Sequence, residues 1–340
     1  MTSIALDAMG GDRAPAEIVA GAALAAADGV DVVLVGDPDA LARELAGHKV
    51  ELPIVAATEQ IEMGEDPARA LREKPNSSIS VAARLVRAGD AGALVSAGST
   101  GAAMAAAAII IGRSDGVHRP SLASVIPTPA GSILILDCGA NLEVKASHLL
   151  QFGIMGAVAA EVFFGLDAPR VGLLNNGEEP GKGRALEKDA YKLLEESALN
   201  FVGNVEGRDF ATNKADVFVT DGFVGNIALK TTEGVAAMVA DMVLEAVSSL
   251  PRKVVEQVSK AVRPIRDVLD YENTGGAHLL GINGVVVIAH GSSGRVATYN
   301  ALRMANAGLD QGLVTRVQER LQAAEVPTTQ ELGNEPVRSA

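Results

Sequence analysis

The sequence predicts an α/β protein: a doubly wound, mostly parallel sheet with helices on both faces and an inserted helical pair. Three observations carry this. Short β-branched runs alternate with longer alanine-rich amphipathic stretches, glycine-rich segments follow most of the strand-like runs, and one long helical stretch interrupts the rhythm late in the chain. In order, residues 3–6 read as a strand and 14–27 as a helix. A strand at 32–35, a helix at 38–46 and a strand at 53–56 follow. Residues 77–87 read as a helix, 93–96 as a strand and 101–111 as a helix. Residues 122–126 and 132–136 read as neighbouring strands, because Pro127, Pro129 and Gly131 between them make a turn. Alternation then returns, with a helix at 147–164, a strand at 171–174 and a helix at 184–196. Buried strands are expected at 217–220 and 285–288. Between them lies the helical insertion, about 226–270, punctuated by Pro251 and Pro264. A last helix is expected over 296–323. Residues 1–326 thus read as one α/β domain, and 327–340 as a disordered tail.

Composition narrows the function classes. The chain has 340 residues, 48% of them hydrophobic, and a net charge of −13, which argues against nonspecific nucleic-acid binding. A single cysteine excludes an internal disulfide framework and a cysteine-rich metal site, and it fits a reducing compartment. The first residues show no signal-peptide pattern, and the longest apolar run, 102–111, is too short to span a bilayer. The expectation is an acidic cytoplasmic protein.

The 36 glycines are informative by position. Six glycine-containing segments follow predicted strands: DAMGGD (7–12), SAGSTG (96–101), DCGAN (137–141), NNGEEPGKG (175–183), DGFVGN (221–226) and HGSSG (290–294). In an open parallel sheet such loops share the carboxyl edge of the strands, where backbone N–H groups and helix starts receive anions. Six together on one edge imply a site for a phosphate-like group, although each alone reads as a tight turn. No G-x-G-x-x-G fingerprint follows a strand, GEEPGKG is one residue short of a Walker loop with Gly183 in the hydroxyl position, and no G-x-S-x-G elbow is present. The five histidines show no zinc spacing, so neither metal nor cofactor is expected. Cys138 follows Asp137, whose charge opposes thiolate formation, and reads as a structural thiol.

Longer runs are more specific. DAMGGD with Ala14 and Pro15, LLNNGEEPGKG (173–183), NFVGNVEGRD (200–209), DGFVGN and GGAHLLGINGVVVIAHGSS (275–293) resemble the PlsX family of phosphate acyltransferases over almost the whole chain. Ser99 stands where the family usually has Asn, and His278 where it often has Pro. The resemblance implies an isocitrate dehydrogenase/phosphotransacetylase-like fold, a homodimer, and acyl transfer from acyl-acyl-carrier protein to inorganic phosphate for phospholipid synthesis. A membrane-bound glycerol-3-phosphate acyltransferase would consume the acyl phosphate. Activity with acyl-CoA, or a noncatalytic carrier-binding scaffold, are the alternatives.

For that reaction the candidates are Lys182, Asn226 and His290 as catalytic groups, with Asn226 reading equally as a helix cap and His290 as a structural histidine. Gly98, Ser99, Thr100, Gly101, Asn141, Gly181, Gly183 and Ser292 are candidate phosphate donors, with Lys145 a weaker one. Asp7, Gly10, Gly11, Asp12 and Asp221 would order the loops. Arg252, Lys253, Lys260, Arg263 and Arg266 make the insertion locally basic against Glu256 alone. They read either as flanks of a dimer or core face, or as a dock for the acidic carrier protein or for an anionic membrane at its inner face.

Overall fold

The computed structural model describes residues 2–268 and 275–324, with side chains except at 263–268. Strands β1 (Ile4–Asp7), β2 (Val32–Gly36), β3 (Ile54–Ala56) and β4 (Ala93–Ser96) alternate with helices α1 (Ala16–Ala27), α2 (Pro38–Leu45), α3 (Pro67–Glu73) and α4 (Ser78–Ala88). Helix α5 (Thr100–Ala106) runs into a π turn (Ala107–Ile111). A hairpin, β5 (Ser121–Thr128) and β6 (Gly131–Leu136), turns where the prolines and glycine predict it. Next come α6 (Ala146–Phe164), β7 (Arg170–Leu174), α7 (Ala185–Glu195), β8 (Asn200–Val205) and β9 (Val217–Val219). The inserted pair is α8 (Gly222–Val247) and α9 (Arg252–Val268), separated at Pro251. Strands β10 (Ala277–Leu280) and β11 (Val285–Ile288) and helices α10 (Arg295–Asp310) and α11 (Leu313–Ala323) are the last elements among the described residues.

Three elements escape the periodicity. Helix α3 is a seven-residue helix between exposed loops, β8 is broken by Gly203 and Asn204, and β10 carries the polar His278 behind two glycines. The expected last helix is two, because Gly312 adopts a left-handed conformation (φ 64°) that ends α10 and starts α11. The expected tail from 327 lies outside the described residues.

All the strands form one eleven-stranded sheet in the order β3-β2-β1-β4-β11-β10-β5-β6-β9-β7-β8. Alternate residues point to opposite faces. On one face, Ala5, Leu94, Val286, Ile135 and Phe218 form a core that runs from α4 and α5 to the start of α8. On the other, Ile4, Leu6, Val95 and Val287 pack under α1 and α10, while Leu134, Leu136, Val171 and Val219 pack under α6 and α7. Helix α6 is apolar all round, and 83% of its most apolar 18-residue stretch is buried. It has the length and composition to cross a membrane but here fills the second core.

The pairing directions correct one expectation. Strands β1 to β4 and β11 are parallel to one another, and β6, β7, β8 and β9 form a second parallel set. Between the sets lie three antiparallel pairings: β11 with β10, β10 with β5, and β5 with β6. An odd number of reversals makes the sets antiparallel. The glycine loops therefore do not share one edge: 7–12, 96–101 and 290–294 leave at one, and 137–141, 175–183 and 221–226 at the other.

Candidate functional site

At the first edge, β1, β4 and β11 bring their loops into backbone contact. The Asp12 N–H donates to Gly291 O at 2.8 Å, and a side chain at Gly10 would collide with Gly98 N and the Asp7 carboxylate. Ser96 Oγ donates to Asp7 Oδ2 at 2.7 Å and accepts from Gly98 N at 3.1 Å. Ser99 N-caps α5, its Oγ accepting from Ala102 N, so Thr100 and Gly101 open the helix. His290 Nδ1 lies 2.7 Å from Ser292 Oγ and is also approached by Ser292 N. This edge gathers Asp7, Gly10, Gly11, Asp12, Gly98, Ser99, Thr100, Gly101, His290 and Ser292.

The second edge is knitted more tightly. Asp137, fully buried, accepts from Leu122 N and Ala140 N on Oδ1 and from both nitrogens of Asn141 on Oδ2. Asn141 gives its remaining amide hydrogen to Pro120 O and accepts from Gly222 N. Both its side-chain hydrogens are thus committed within the protein, and it orders the loop. The first turn of α8 lies directly on this loop: a Cβ at Gly225 would overlap Asp137 O. Only glycine permits that approach.

Asp221 caps α8, its Oδ1 accepting from Val224 N at 2.8 Å. Asn226 is therefore not the cap; it lies more than a turn inside the helix, exposed, with its side chain the nearest group to Gly139. The expected helix start at 226 is displaced to Gly222 because Asp221 satisfies the free amides first.

Arg184 links the two remaining loops. Its guanidinium holds Glu187, which it also contacts through its backbone N–H at 2.7 Å, and reaches Asp221 Oδ2 at 2.6 Å. Glu187 and Asp221 are buried, and the adjacent cation holds Glu187 below its ordinary pKa against the opposing pull of burial. The loop 175–183 is braced by Asn175 Nδ2 on Asn204 Oδ1 and by Asn204 Nδ2 on Glu179 O. Lys182 stands on this loop, half-exposed and 3.7 Å from Glu179, with Gly181 and Gly183 on either side. A cavity of about 500 Å³ opens here, lined by Asn175, Asn176, Gly183, Arg184, Glu187 and Thr220. This cavity marks the second edge as the candidate active site.

The structure thus brings Lys182, Gly181, Gly183, Asn141, Asp221 and Asn226 to one edge and leaves His290 and Ser292 at the other. Sequence reasoning missed Arg184, whose signal was an Arg-x-x-Glu capping box directly after GEEPGKG. It also missed Ser96 and Asn204, polar residues inside otherwise apolar strands. Lys145 N-caps α6 with its side chain exposed. Cys138 is 4% exposed, with its Sγ against Ile135 O, and burial beside Asp137 pushes its thiol far up. Among the described residues no three His, Cys, Asp or Glu side chains converge as a metal site.

The inserted pair leaves Phe223, Ile227, Val235, Met238 and Met242 of α8 exposed, and Leu250 just beyond its end. On α9, Arg252 pairs with Glu256 at 2.9 Å, and Lys253 and Lys260 are exposed. The side chains of Arg263 and Arg266 lie outside the described residues.

Residues 2–316 match the family model described as "Fatty acid synthesis protein". A phosphate acyltransferase from Pelotomaculum thermopropionicum is 48% identical over 330 residues, covering 95% of this chain and 96% of that protein. One from Heliobacterium modesticaldum is 49% identical, covering 94% and 97%. Among solved structures, a phosphotransacetylase from Staphylococcus aureus superposes with a TM-score of 0.62 at 20% identity, over 90% of this chain and 93% of its own. A phosphotransacetylase from Streptococcus pyogenes gives 0.61 at 18%, covering 90% and 94%. Those two share the fold. With the glycine loops, the mixed sheet and near-full coverage by relatives of almost half-identical sequence, the chain belongs to the phosphate acyltransferase family, the family its longest motifs resemble.

Proposed function

We propose that the protein transfers a fatty acyl group from acyl-acyl-carrier protein to inorganic phosphate, releasing acyl phosphate and the carrier thiol. The observation that carries this reading is the similarity to phosphate acyltransferases over the full domain, joined to a cavity lined by Arg184 and by Asn175, Asn176 and Gly183 of the loop that carries Lys182.

In this mechanism a phosphate oxygen attacks the thioester carbonyl, a C–O bond forms, and the C–S bond breaks with its electrons on sulfur. Phosphate is substantially dianionic near neutral pH and needs little base assistance. The thiolate is a tolerable leaving group, with a free pKa of about 8.5. The protein's part is to position the two substrates, exclude water and supply donors to the developing oxyanion. Lys182 and Asn226 are the side chains assigned to that work. Direct attack is favoured over an acyl-enzyme, because Cys138 is sealed in the core, where burial raises its thiol pKa and opposes thiolate formation. His290 lies at the other edge and is assigned no role in the proton balance.

The exposed apolar residues of α8 support a homodimer buried through that helix. The basic residues of α9 support docking of the acidic carrier protein or of an anionic membrane surface, which a net charge of −13 would otherwise repel. Lys253→Glu with Lys260→Glu should raise KM for acyl-carrier protein several-fold or abolish partitioning to anionic vesicles; no change in either measurement removes the docking role.

The decisive assay incubates the purified protein with phosphate and either acyl-acyl-carrier protein or acyl-CoA, and traps acyl phosphate with hydroxylamine. Product from the carrier thioester supports this reading. Product from acyl-CoA alone points to a phosphotransacetylase-type activity, and no product from either points to a noncatalytic carrier-binding role.

A further inference from the structure

Two carboxylates hold equivalent places at the carboxyl ends of β1 and β6, and their surroundings differ. Asp137 receives four N–H donors, two on each oxygen, so both oxygens are satisfied within the protein although burial still raises its carboxyl pKa. Asp7 is 3% exposed; its carboxylate receives the Ser96 hydroxyl on Oδ2 and is also drawn on by Ser78 and by the Met9 and Gly10 amides, but Oδ1 makes no hydrogen bond. It lines a nearly closed cavity where β1, β4, the start of α4 and the 96–101 loop meet, with room for about one water-sized sphere. Gln60, Ser78, Ser96, Gly98 and Ser99 share the wall. Gln60 gives an amide hydrogen to Met9 O at 2.7 Å, which leaves its oxygen as the remaining acceptor.

We propose that this cavity is a site for one potassium-sized monovalent cation, held by the Asp7 carboxylate and the side-chain oxygens of Gln60, Ser78, Ser96 and Ser99. Burial pushes the Asp7 carboxyl above the usual range despite its donors, all of them uncharged, so an ionised Asp7 has no counter-charge among the groups acting on it, which is costly. A single positive charge balances it. A water molecule would supply a hydrogen but leave the charge uncompensated. Between the apolar Ile61, Ile79 and Ala102, the polar side chains of the wall offer oxygen ligands, the preference of hard cations, and neutral oxygens replacing a hydration shell suit potassium. Magnesium keeps several of its waters, and a cavity of one sphere cannot house them. The bound ion ties together the 7–12 loop, residue 60, the start of α4 and the 96–101 loop, so these glycine loops become ordered with it.

The test is thermal unfolding in potassium, sodium and choline chloride at equal ionic strength, for the wild type and for Asp7→Asn, which is nearly isosteric and neutral. Potassium at 100 times its Kd should raise the wild-type midpoint by about 3–5 °C over choline, and the shift should vanish in Asp7→Asn. In crystals soaked in rubidium, an anomalous peak should lie beside Asp7 Oδ1; this decides the matter should Asp7→Asn fail to fold. Identical midpoints in all three salts, an equal potassium shift in Asp7→Asn, or no rubidium peak overturns the proposal, and the carboxyl is then satisfied by its own proton.

Discussion

Removing the Arg184 side chain tests how the candidate active site is held together. The guanidinium is the only cation hydrogen-bonded to Glu187 and Asp221 among the described residues, and both carboxylates are buried. Breaking a fully buried ion pair by deleting one partner costs about 3–5 kcal/mol. Arg184 is itself 59% exposed, so water screens part of this, and Arg184→Ala should destabilise the protein by about 1–3 kcal/mol. Asparagine at 221 still caps α8 but removes one of the stranded charges. The double variant Arg184→Ala/Asp221→Asn should therefore recover about 1 kcal/mol of the loss. The functional consequence follows from geometry. Arg184 joins the loop that carries Lys182 to the helix that carries Asn226, and a displacement of about 1 Å between reacting groups costs up to about 100-fold in rate. Urea titrations of the single and double variants measure the first effect, and acyl phosphate formation at varied phosphate measures the second. Arg184→Lys should restore part of the activity by pairing with one carboxylate. Wild-type stability together with wild-type kcat/KM in Arg184→Ala would refute the clamp.

Three further outcomes are expected. Cys138→Ala should lose about 1 kcal/mol of stability and keep wild-type kcat, as read by turnover and thermal melting; a folded but inactive variant would refute the purely structural role of this thiol. Gly225→Ala should push the first turn of α8 off the 137–141 loop, destabilising by at least about 1–3 kcal/mol and cutting kcat/KM; an unchanged crystal structure and rate would show that the contact relaxes freely. His278 is buried with both ring nitrogens unpaired, stacked on Phe163 at 4.4 Å, and burial lowers its pKa to about 3 from 6.5. The unfolded chain binds this proton first as pH falls, so its contribution is full above about pH 6.5, and about 2 kcal/mol is lost by pH 5. His148 and His118 shift the same way, while Asp7 and Asp137, raised by burial, oppose them, so the difference between wild type and His278→Phe isolates the effect; an equal acid slope in both would refute it.

Much of the architecture was legible because its cause is local. Alternating apolar runs at 93–96 and 285–288, alanine-rich stretches at 14–27 and 147–164, and the proline-glycine turn at 127–131 each reflect the geometry of their own segment. The glycine loops were legible for the same reason: a chain leaving a buried strand for a helix needs a tight turn and exposes its amides there. Elements whose residues take their meaning from distant neighbours were not. His278 is tolerated in β10 because Phe163, over a hundred residues earlier, covers it. Asn141 reads as a ligand donor in isolation and is committed to Asp137 and Pro120 in the fold. Asn226 reads as a cap until Asp221 and the backbone contact at Gly225 place the helix start ahead of it.

The sequence by itself determined the α/β class, the run of strand-end glycine loops and, through its long motifs, the family. Only the tertiary structure decided which loops meet. Strand direction depends on hydrogen bonds between segments far apart in the chain, and three antiparallel pairings around β10 and β5 reverse the second half of the sheet. No periodicity within a strand encodes its neighbour's direction. The same long-range contacts put Arg184 between Glu187 and Asp221, and left Asp7 with a carboxylate oxygen that no protein group satisfies.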